Sequence, residues 1–280
     1  RLLQFSYFFN LNNIILMQQS IFNIKKMNKL NYGIIGKNWG SKIFRILKKL
    51  NKNVIYLDIK SPKNYKNIYS YKINVKREIL EKSPNIDILW IATPTNFKYF
   101  LVEEALNNNL NVIVEKPWLH DEKKTKKIIQ ISKKKKLQVG VHFEFLYLKQ
   151  FLNLKNKQLI NNKNNLFSGF FNVKKKSHFK KLSAFHELGS HIVAIKLKYF
   201  NNTKFKTFKS NYNKKNLRKI IIDSKIKSFS YDFTNNSEKL IQKYIKDFET
   251  KLLYKNNYKI DLKFASNVYK CTKYLIKKYG

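Results

Sequence analysis

The chain has 280 residues, 43% of them hydrophobic, so it can bury the core of one large domain or of two ordinary ones. Its formal net charge of +41 suggests a polyanion partner, but only Arg1, Arg45, Arg77 and Arg218 are arginines, the residue that usually reads phosphates and bases. Lys, Asn and Ile are abundant together, as an AT-rich genome would impose, which disfavours a specific nucleic-acid partner.

Cysteine content and hydropathy limit the compartment. Cys271 is the single cysteine, which excludes an intrachain disulfide and a cysteine-based metal cluster and favours a reducing compartment, the cytoplasm. No run is long and apolar enough to span a membrane. Residues 1–26 are apolar but interrupted by Asn and Gln, and they lack a signal-peptide cleavage site. We therefore expect residues 1–27 to be an extension outside the fold proper.

Strand-like and helix-like segments alternate between residues 28 and 141. Helices are predicted at 43–50, where apolar residues recur at i, i+3, i+4 and i+7, at 97–107, and after the capping residue Asp121. The six predicted strands are 32–35, 54–57, 69–73, 86–92, 112–114 and 137–141. Strands separated by helices of this length predict a doubly wound parallel sheet, a Rossmann-type α/β domain.

The pattern changes after about residue 142. Longer aromatic strands are predicted at 166–173, 203–211 and 226–233, with a helix at 184–199 among them. Two further helices with regular apolar stripes close the chain. We therefore predict a second domain, 142–280, of the α+β class with a mostly antiparallel sheet.

A glycine-containing turn follows the first predicted strand at residues 36–40, Gly36-Lys37-Asn38-Trp39-Gly40. Dinucleotide sites need glycine here because the turn is tight and the backbone must approach a pyrophosphate at a helix N-terminus. The middle glycine of the G-x-G-x-x-G pattern is missing, so the turn alone is a weak signal and an ordinary βα connection is the default interpretation. Asp58 strengthens the dinucleotide interpretation, because a carboxylate at the end of the second strand binds the ribose of NAD. Lys60 and Lys63 lie nearby in the sequence, so NADP remains an alternative cofactor.

Two short motifs follow the later strands. Ala92-Thr93-Pro94 ends one strand, and Glu115-Lys116-Pro117 follows the next. Together, at this spacing, they resemble the Gfo/Idh/MocA family (glucose–fructose oxidoreductase and inositol dehydrogenase), which has an A-T-P turn and a V-x-x-E-K-P segment. The resemblance covers about residues 30–279. It implies that Lys116 lies beside the nicotinamide ring and the substrate hydroxyl; a lysine that is merely salt-bridged on a loop is the alternative.

One departure and one softer match accompany this resemblance. The family often has a histidine about four residues after the proline of A-T-P; this chain offers Phe97 in that region, so we expect that contact to be absent. Residues 139–143 resemble the family's vG-x-x-x-R-F strand, which leads out of the nucleotide domain. Phe145 and Tyr147 beyond it could line the cleft, although core packing is their commoner role.

Residues 185–191 (F-H-E-L-G-S-H) resemble a D-x-G-x-H-like element of the same family, with Glu187 in place of Asp and His191 at the histidine. Because these two residues are four apart, they share a helix face, and a carboxylate beside a histidine suits proton transfer. His186 points elsewhere and is expected to be structural. The spacing of the two histidines and Glu187 is not a chelating one, so no metal site is predicted.

The resulting hypothesis is an NAD(P)-dependent oxidoreductase that transfers a hydride between nicotinamide and a secondary carbinol or ketone of a sugar, cyclitol or nucleotide sugar, with NAD favoured by Asp58. Catalysis is assigned to Lys116, His191 and Glu187. Cofactor binding is assigned to Gly36, Lys37, Asn38, Trp39, Gly40, Asp58, Ala92, Thr93, Pro94, Glu115 and Lys116. The resemblance also implies a homodimer or homotetramer through the second-domain sheet. The alternative is a non-catalytic nucleotide- or sugar-binding relative, which the incomplete glycine turn favours.

Overall fold

Five parallel strands form the first of two sheets. The computed structural model describes residues 30–57, 68–153, 161–174, 185–213, 216–234, 238–254 and 260–279. The strands are β1 (Asn31–Ile35), β2 (Asn53–Tyr56), β3 (Ile88–Ile91), β4 (Asn111–Glu115) and β5 (Val139–His142). Their order across the sheet is β2-β1-β3-β4-β5, and every adjacent pair is parallel. The predicted Rossmann-type sheet is therefore confirmed.

Helices connect these strands and cover the sheet. They are α1 (Trp39–Lys49), α2 (Ile68–Lys82), α3 (Thr95–Asn107) and α4 (Glu122–Lys135). β3 is buried along its whole length, as expected for a parallel strand with helices on both faces. Asp121 caps α4 as predicted, because its Oδ1 accepts a hydrogen bond of 2.7 Å from the Lys124 backbone N–H.

One predicted strand is wrong. Residues 69–73 belong to α2, and the sheet has five strands rather than six. The short alternation of apolar and polar residues favoured a strand, but the buried side chains of Tyr71, Val75 and Ile79 recur every four residues, which is a helical spacing. The helical pattern extends beyond the window on which the strand was predicted.

The second sheet has the strand order β7-β6-β8-β9. Its strands are β6 (Leu166–Lys174), β7 (Lys204–Asn213), β8 (Leu217–Asp223) and β9 (Ser228–Asp232). β6 pairs with β7 in parallel, whereas β6–β8 and β8–β9 are antiparallel, so the sheet is mostly antiparallel as predicted. β8 was missed, although its Ile220-Ile221-Ile222 run is typical of a strand.

The remaining helical segments surround the second sheet and return to the first. They are a 3-10 turn (Glu144–Tyr147), α5 (Lys149–Leu152), a π-turn (Phe185–Gly189), α6 (Ser190–Tyr199), α7 (Glu238–Leu253) and α8 (Leu262–Tyr279). The predicted helix at 184–199 is thus a π-turn that continues into α6. Within the described ranges, no helix combines the length and the apolar character that crossing a bilayer requires.

A buried polar cluster ties α7 to the first sheet. The Glu249 carboxylate accepts a hydrogen bond of 2.7 Å from the Tyr32 hydroxyl, and its Oε1 lies 2.8 Å from the Lys52 ammonium. Both charged side chains are at least nine-tenths buried. Burial, with the neighbouring Glu249 charge, raises the pKa of Tyr32 well above its usual value. Removing one member would leave the other charge buried without its counter-ion.

We expect Glu249→Gln to lower the free energy of unfolding by roughly 3 kcal/mol, because the amide keeps the shape but not the charge that neutralises Lys52. Urea unfolding followed by circular dichroism measures the change. Glu238→Gln on the same helix is the matched control: it removes an exposed ion pair with Lys49, so its midpoint should coincide with that of the wild type. Equal midpoints for both variants would contradict a stabilising role for the buried cluster.

Candidate functional site

A cavity of about 640 Å³ opens at the carboxyl ends of β1, β3 and β4 and is closed on its far side by the second sheet and α6. Strand order reverses between β1 and β3, the switch point where open α/β sheets bind ligands. Eight of the residues predicted for cofactor binding and catalysis line this cavity: Asn38, Trp39, Ala92, Thr93, Glu115, Lys116, Glu187 and His191.

The glycine turn brings the backbone against the end of β3. Gly36 has φ +118°, and a Cβ built on it would lie 2.3 Å from the Ala92 carbonyl oxygen, so no other residue fits there without displacing backbone. The Tyr56 hydroxyl donates a hydrogen bond to the Gly36 carbonyl. Asn38 stands in place of the middle glycine and adopts φ +53° and ψ −90°, a positive-φ conformation outside the left-handed helical region that glycine adopts more readily than asparagine. The turn thus keeps a backbone cradle despite the substitution.

We expect Gly36→Ala to lower the free energy of unfolding by roughly 2–4 kcal/mol, because the added methyl group combines an unfavourable φ with a backbone clash. Gly40→Ala tests the same turn with less strain, since its Cβ would approach only the Ile34 side chain, at 3.3 Å. Thermal and urea unfolding of the two variants give the comparison. If the two substitutions were equally tolerated, the described conformation of Gly36 would be wrong.

Two lysines meet at the end of β4. The Lys116 ammonium donates a hydrogen bond of 3.0 Å to the carbonyl oxygen of Glu187, which joins the first sheet to the π-turn. The Lys98 ammonium donates to the carbonyl oxygens of Lys116 and Pro117 at 3.0 and 3.2 Å. Burial lowers the pKa of Lys98 to about 7. The peptide bond between Lys116 and Pro117 is cis.

Sequence reasoning missed Lys98. It is the fourth residue after Pro94, the position at which the resembled family often has a histidine, whereas Phe97 points away and packs edge-on against Tyr71. A polar side chain therefore does reach the site from this turn of α3. The available signal was the spacing from Pro94.

Glu115 lines the cavity and is held in a buried hydrogen-bonded group. Its Oε1 lies 2.9 Å from both Trp90 Nε1 and His142 Nδ1. Burial would raise the pKa of Glu115, but the His142 charge and these hydrogen bonds outweigh it and lower the pKa. Burial would conversely lower the pKa of His142, and the Glu115 carboxylate raises it. The hydrogen bond between these two side chains thus links the end of β4 to β5.

His191 projects into the cavity from the first turn of α6. The imidazole lies nearly parallel to the Phe171 ring, with the ring centres 5.2 Å apart, and edge-on to Phe145. Burial, followed by the positive charges of Lys116, Arg218 and His142, lowers its pKa well below the usual 6.5. His191 is consequently neutral at physiological pH and can accept a proton.

Two further charged residues of the cavity wall were missed. Glu144 stands at the arginine position of the resembled vG-x-x-x-R-F strand, and its Oε1 lies 3.9 Å from His191 Nε2. Arg218 enters from β8, the strand that the sequence did not reveal. Glu187 also lines the cavity, but the prediction that its carboxylate orients His191 stays a prediction. Neither Glu144 nor Arg218 lies close in sequence to Lys116 or His191.

Three other residues that were predicted to bind the cofactor do not line the cavity. Lys37 is exposed and Gly40 is buried at the start of α1, while Pro94 precedes the first residue of α3. Asp58 and the predicted extension 1–27 lie outside the described residues. Among the residues that the structure describes, no three His, Cys, Asp or Glu side chains are arranged as a metal site.

Unsatisfied polar atoms converge on this cavity. Five buried side-chain atoms of its wall have no hydrogen-bond partner within the described part of the chain: Trp39 Nε1, Thr93 Oγ1, Glu144 Oε2, His191 Nδ1 and Arg218 Nε. Buried polar groups are normally paired, and leaving one unpaired costs about 1–3 kcal/mol. The arrangement fits a polar ligand, and it offers a cation for a substrate oxygen together with a neutral imidazole for its proton.

Comparisons with known proteins agree with this geometry. Residues 30–143 match the family model described as an oxidoreductase family with an NAD-binding Rossmann fold, Gfo/Idh/MocA. No curated protein sequence matches the chain. UDP-N-acetylglucosamine 3-dehydrogenase GnnA from Acidithiobacillus ferrooxidans is 11% identical with a TM-score of 0.68, covering 90% of this chain and 98% of its own.

Two other solved structures share the fold. Myo-inositol 2-dehydrogenase from Lactobacillus plantarum is 14% identical with a TM-score of 0.69, covering 89% of this chain and 96% of its own. The WlbA (WbpB) dehydrogenase from Thermus thermophilus, solved with NAD and UDP-GlcNAcA, is 12% identical with a TM-score of 0.67, covering 88% of this chain and 94% of its own. At these identities the likeness shows a common fold across both sheets.

Proposed function

Residues 30–143 belong to the Gfo/Idh/MocA oxidoreductase family, whose fold here is the NAD-binding Rossmann fold, and from this we propose that the protein is an NAD(P)-dependent oxidoreductase. Its reaction is reversible hydride transfer between nicotinamide and a secondary carbinol or ketone of a sugar, cyclitol or nucleotide sugar. One observation carries the proposal: Lys116 at the end of β4 and His191 on α6 line the same cavity at the switch point of the sheet.

The residues of the first sheet fit the cofactor. The backbone cradle at Gly36, the adjoining N-terminus of α1 and the unpaired Trp39 Nε1 and Thr93 Oγ1 are suited to a pyrophosphate and its sugars. When bound, NAD(P) supplies the hydride donor or acceptor at nicotinamide C4. Asp58 favours NAD, and this preference rests on the sequence alone.

The chain's own residues handle the oxygen and the proton. Lys116 Nζ donates a hydrogen bond to the carbinol oxygen and stabilises the negative charge that develops there. His191 Nε2 takes the carbinol proton, and Glu144, 3.9 Å away, stabilises the resulting imidazolium. Glu187 positions Lys116 through its carbonyl oxygen, and we assign the orientation of His191 to its carboxylate. In the reverse direction His191 returns the proton.

Binding and turnover test this function separately. Purified protein titrated with NADH or NADPH should show saturable energy transfer from its tryptophans to the nicotinamide. Initial rates with NAD(P)⁺ across a panel of sugars, cyclitols and nucleotide sugars should then reveal at least one substrate. Saturable dinucleotide binding without turnover on the panel would favour the non-catalytic alternative. Absence of dinucleotide binding would refute the oxidoreductase function and leave only the sugar-binding form of that alternative.

We further propose the division into a nucleotide domain, 28–141, and a substrate domain, 142–280, and association of copies through the second sheet. The partly buried apolar side chain of Ile221, which lies on the face opposite to buried Ile220 and Ile222, supports an interface. Light scattering on the purified protein measures the oligomeric state. We expect a dimer or tetramer, and a monomer at micromolar concentration would refute association through the second sheet.

A further inference from the structure

Arg218 holds an unusual position on the wall of the cavity. Its guanidinium carbon lies 5.0 Å from the centre of the Phe145 ring and 5.2 Å from that of Phe171. Nη1 donates a hydrogen bond of 2.9 Å to the Thr234 carbonyl, while Nε is buried without a partner among the described residues. The side chain is thus fixed by stacking and by one hydrogen bond, with donor capacity left over.

The choice of arginine is informative in this composition. The chain has 58 basic residues and only four are arginines, so lysine serves as the cation almost everywhere else. A guanidinium differs from an ammonium in offering a planar fork that grips carboxylate or phosphate oxygens in pairs and stacks on aromatic rings. Arg218 lies against two such rings, a position in which the planar shape of the guanidinium matters as well as its charge.

Other cations of the cavity already have partners or belong to the cofactor side. The ammonium groups of Lys98 and Lys116 donate to main-chain carbonyls. Lys42 and Arg45 stand on α1 beside the glycine turn, and the Lys42 ammonium lies 4.5 Å from the Trp39 ring centre. Arg218 is the cation contributed by the second sheet.

Its charge is not cancelled at close range. Among the described residues no carboxylate lies within 4.0 Å of the Arg218 guanidinium. Burial lowers the pKa of Arg218, and the more distant Glu144 partly offsets this. The guanidinium remains a cation at physiological pH, so the second-sheet side of the cavity is positive.

Arg218 and His191 can be reached by one small molecule. Both pack on the same two rings, with the His191 ring centre 4.7 Å from that of Phe145 and 5.2 Å from that of Phe171. Both side chains also line the same cavity, so a substrate with its carbinol at His191 can extend a charged substituent toward the guanidinium.

We propose that the sugar substrate carries an anionic group, a carboxylate or a phosphate, and that Arg218 binds this group and so selects anionic over neutral sugars. The assignment deepens the proposed function and rests on it for the identity of the substrate as a sugar. Lys116 and His191 act on the carbinol, and Arg218 acts on the charged substituent.

Direct binding tests the proposal. Calorimetric titrations at physiological salt, with and without saturating NADH, compare three pairs of probes: glucuronate with glucose, glucose 6-phosphate with glucose, and UDP-N-acetylglucosamine with N-acetylglucosamine. The wild type should bind at least one anionic probe at least about tenfold more tightly than its neutral parent. The pair that responds distinguishes a carboxylate from a phosphate ligand.

Matched variants assign the effect. Arg218→Gln should remove the preference for the anionic probe, and Arg218→Lys should restore only part of it, because the fork is lost. Lys209→Gln removes the same charge from an exposed position on β7 and should leave the preference intact, which controls for the high net charge.

Two results would overturn the proposal: no anionic probe that binds more tightly than its parent, or a preference that survives in folded Arg218→Gln. Failure to bind NADH would instead count against the oxidoreductase function, because the titrations without NADH still report the anion preference.

Discussion

Lys116→Met is expected to lower both kcat and kcat/KM by on the order of 10²- to 10³-fold, the usual loss when a donor to a developing oxyanion is removed. Methionine keeps the unbranched stem and deletes only the ammonium group. The affinity for NADH should stay close to that of the wild type, because the pyrophosphate cradle lies at Gly36 and α1. Initial rates from NAD(P)H absorbance, with NADH fluorescence titrations alongside, give both quantities.

Lys123→Met is the control for this substitution. Lys123 is exposed on α4, so its loss removes an equal charge without touching the cavity, and its rates should match those of the wild type. Undiminished turnover in Lys116→Met would show that the ammonium group has no part in the reaction.

His191→Gln is expected to lower kcat by roughly 10²- to 10⁴-fold, the range found when a general base is lost. Glutamine retains a polar side chain next to Phe171 but cannot exchange the carbinol proton. His186→Gln is the matched control, since His186 lies on the adjoining π-turn and we assign it no catalytic role. If both variants turned over equally, the proton would have to be taken by another group.

The pH profile of the wild type adds a second readout. Because burial and the charges of Lys116, Arg218 and His142 lower the pKa of His191, the base stays deprotonated well below pH 6.5. Oxidation rates, as kcat/KM, should therefore fall only at a pH clearly below 6.5, and this acid limb should move upward in Arg218→Gln. An acid limb at or above pH 6.5 in the wild type would contradict the described surroundings of His191.

The first sheet could be predicted because its signals are local. The runs at β1, β3 and β4 are continuously apolar, and the motifs after them lie at fixed distances along the chain, so Ala92, Glu115 and Lys116 were placed correctly at one edge. The strand predicted at 69–73 was wrong because it also rested on a local signal alone: a window of five residues cannot separate a strand from one turn of a helix.

The opposite wall of the cavity was less predictable. Glu144 lies on the 3-10 turn after β5 and Arg218 lies on β8, and both line the same cavity as His191. No spacing along the chain encodes that arrangement. Lys98 could have been found from its spacing of four residues from Pro94, but its hydrogen bonds to the carbonyl oxygens of Lys116 and Pro117 depend on the fold. Tertiary packing, rather than a local motif, decides which charges face a ligand.

A crystal structure with bound NAD⁺ or NADP⁺ would show whether this cavity is the dinucleotide site. We expect a pyrophosphate against the turn at Gly36 and a nicotinamide ring whose C4 faces the space between Lys116 Nζ and His191. A dinucleotide bound elsewhere, or a nicotinamide whose C4 is turned away from these two nitrogens, would contradict this expectation.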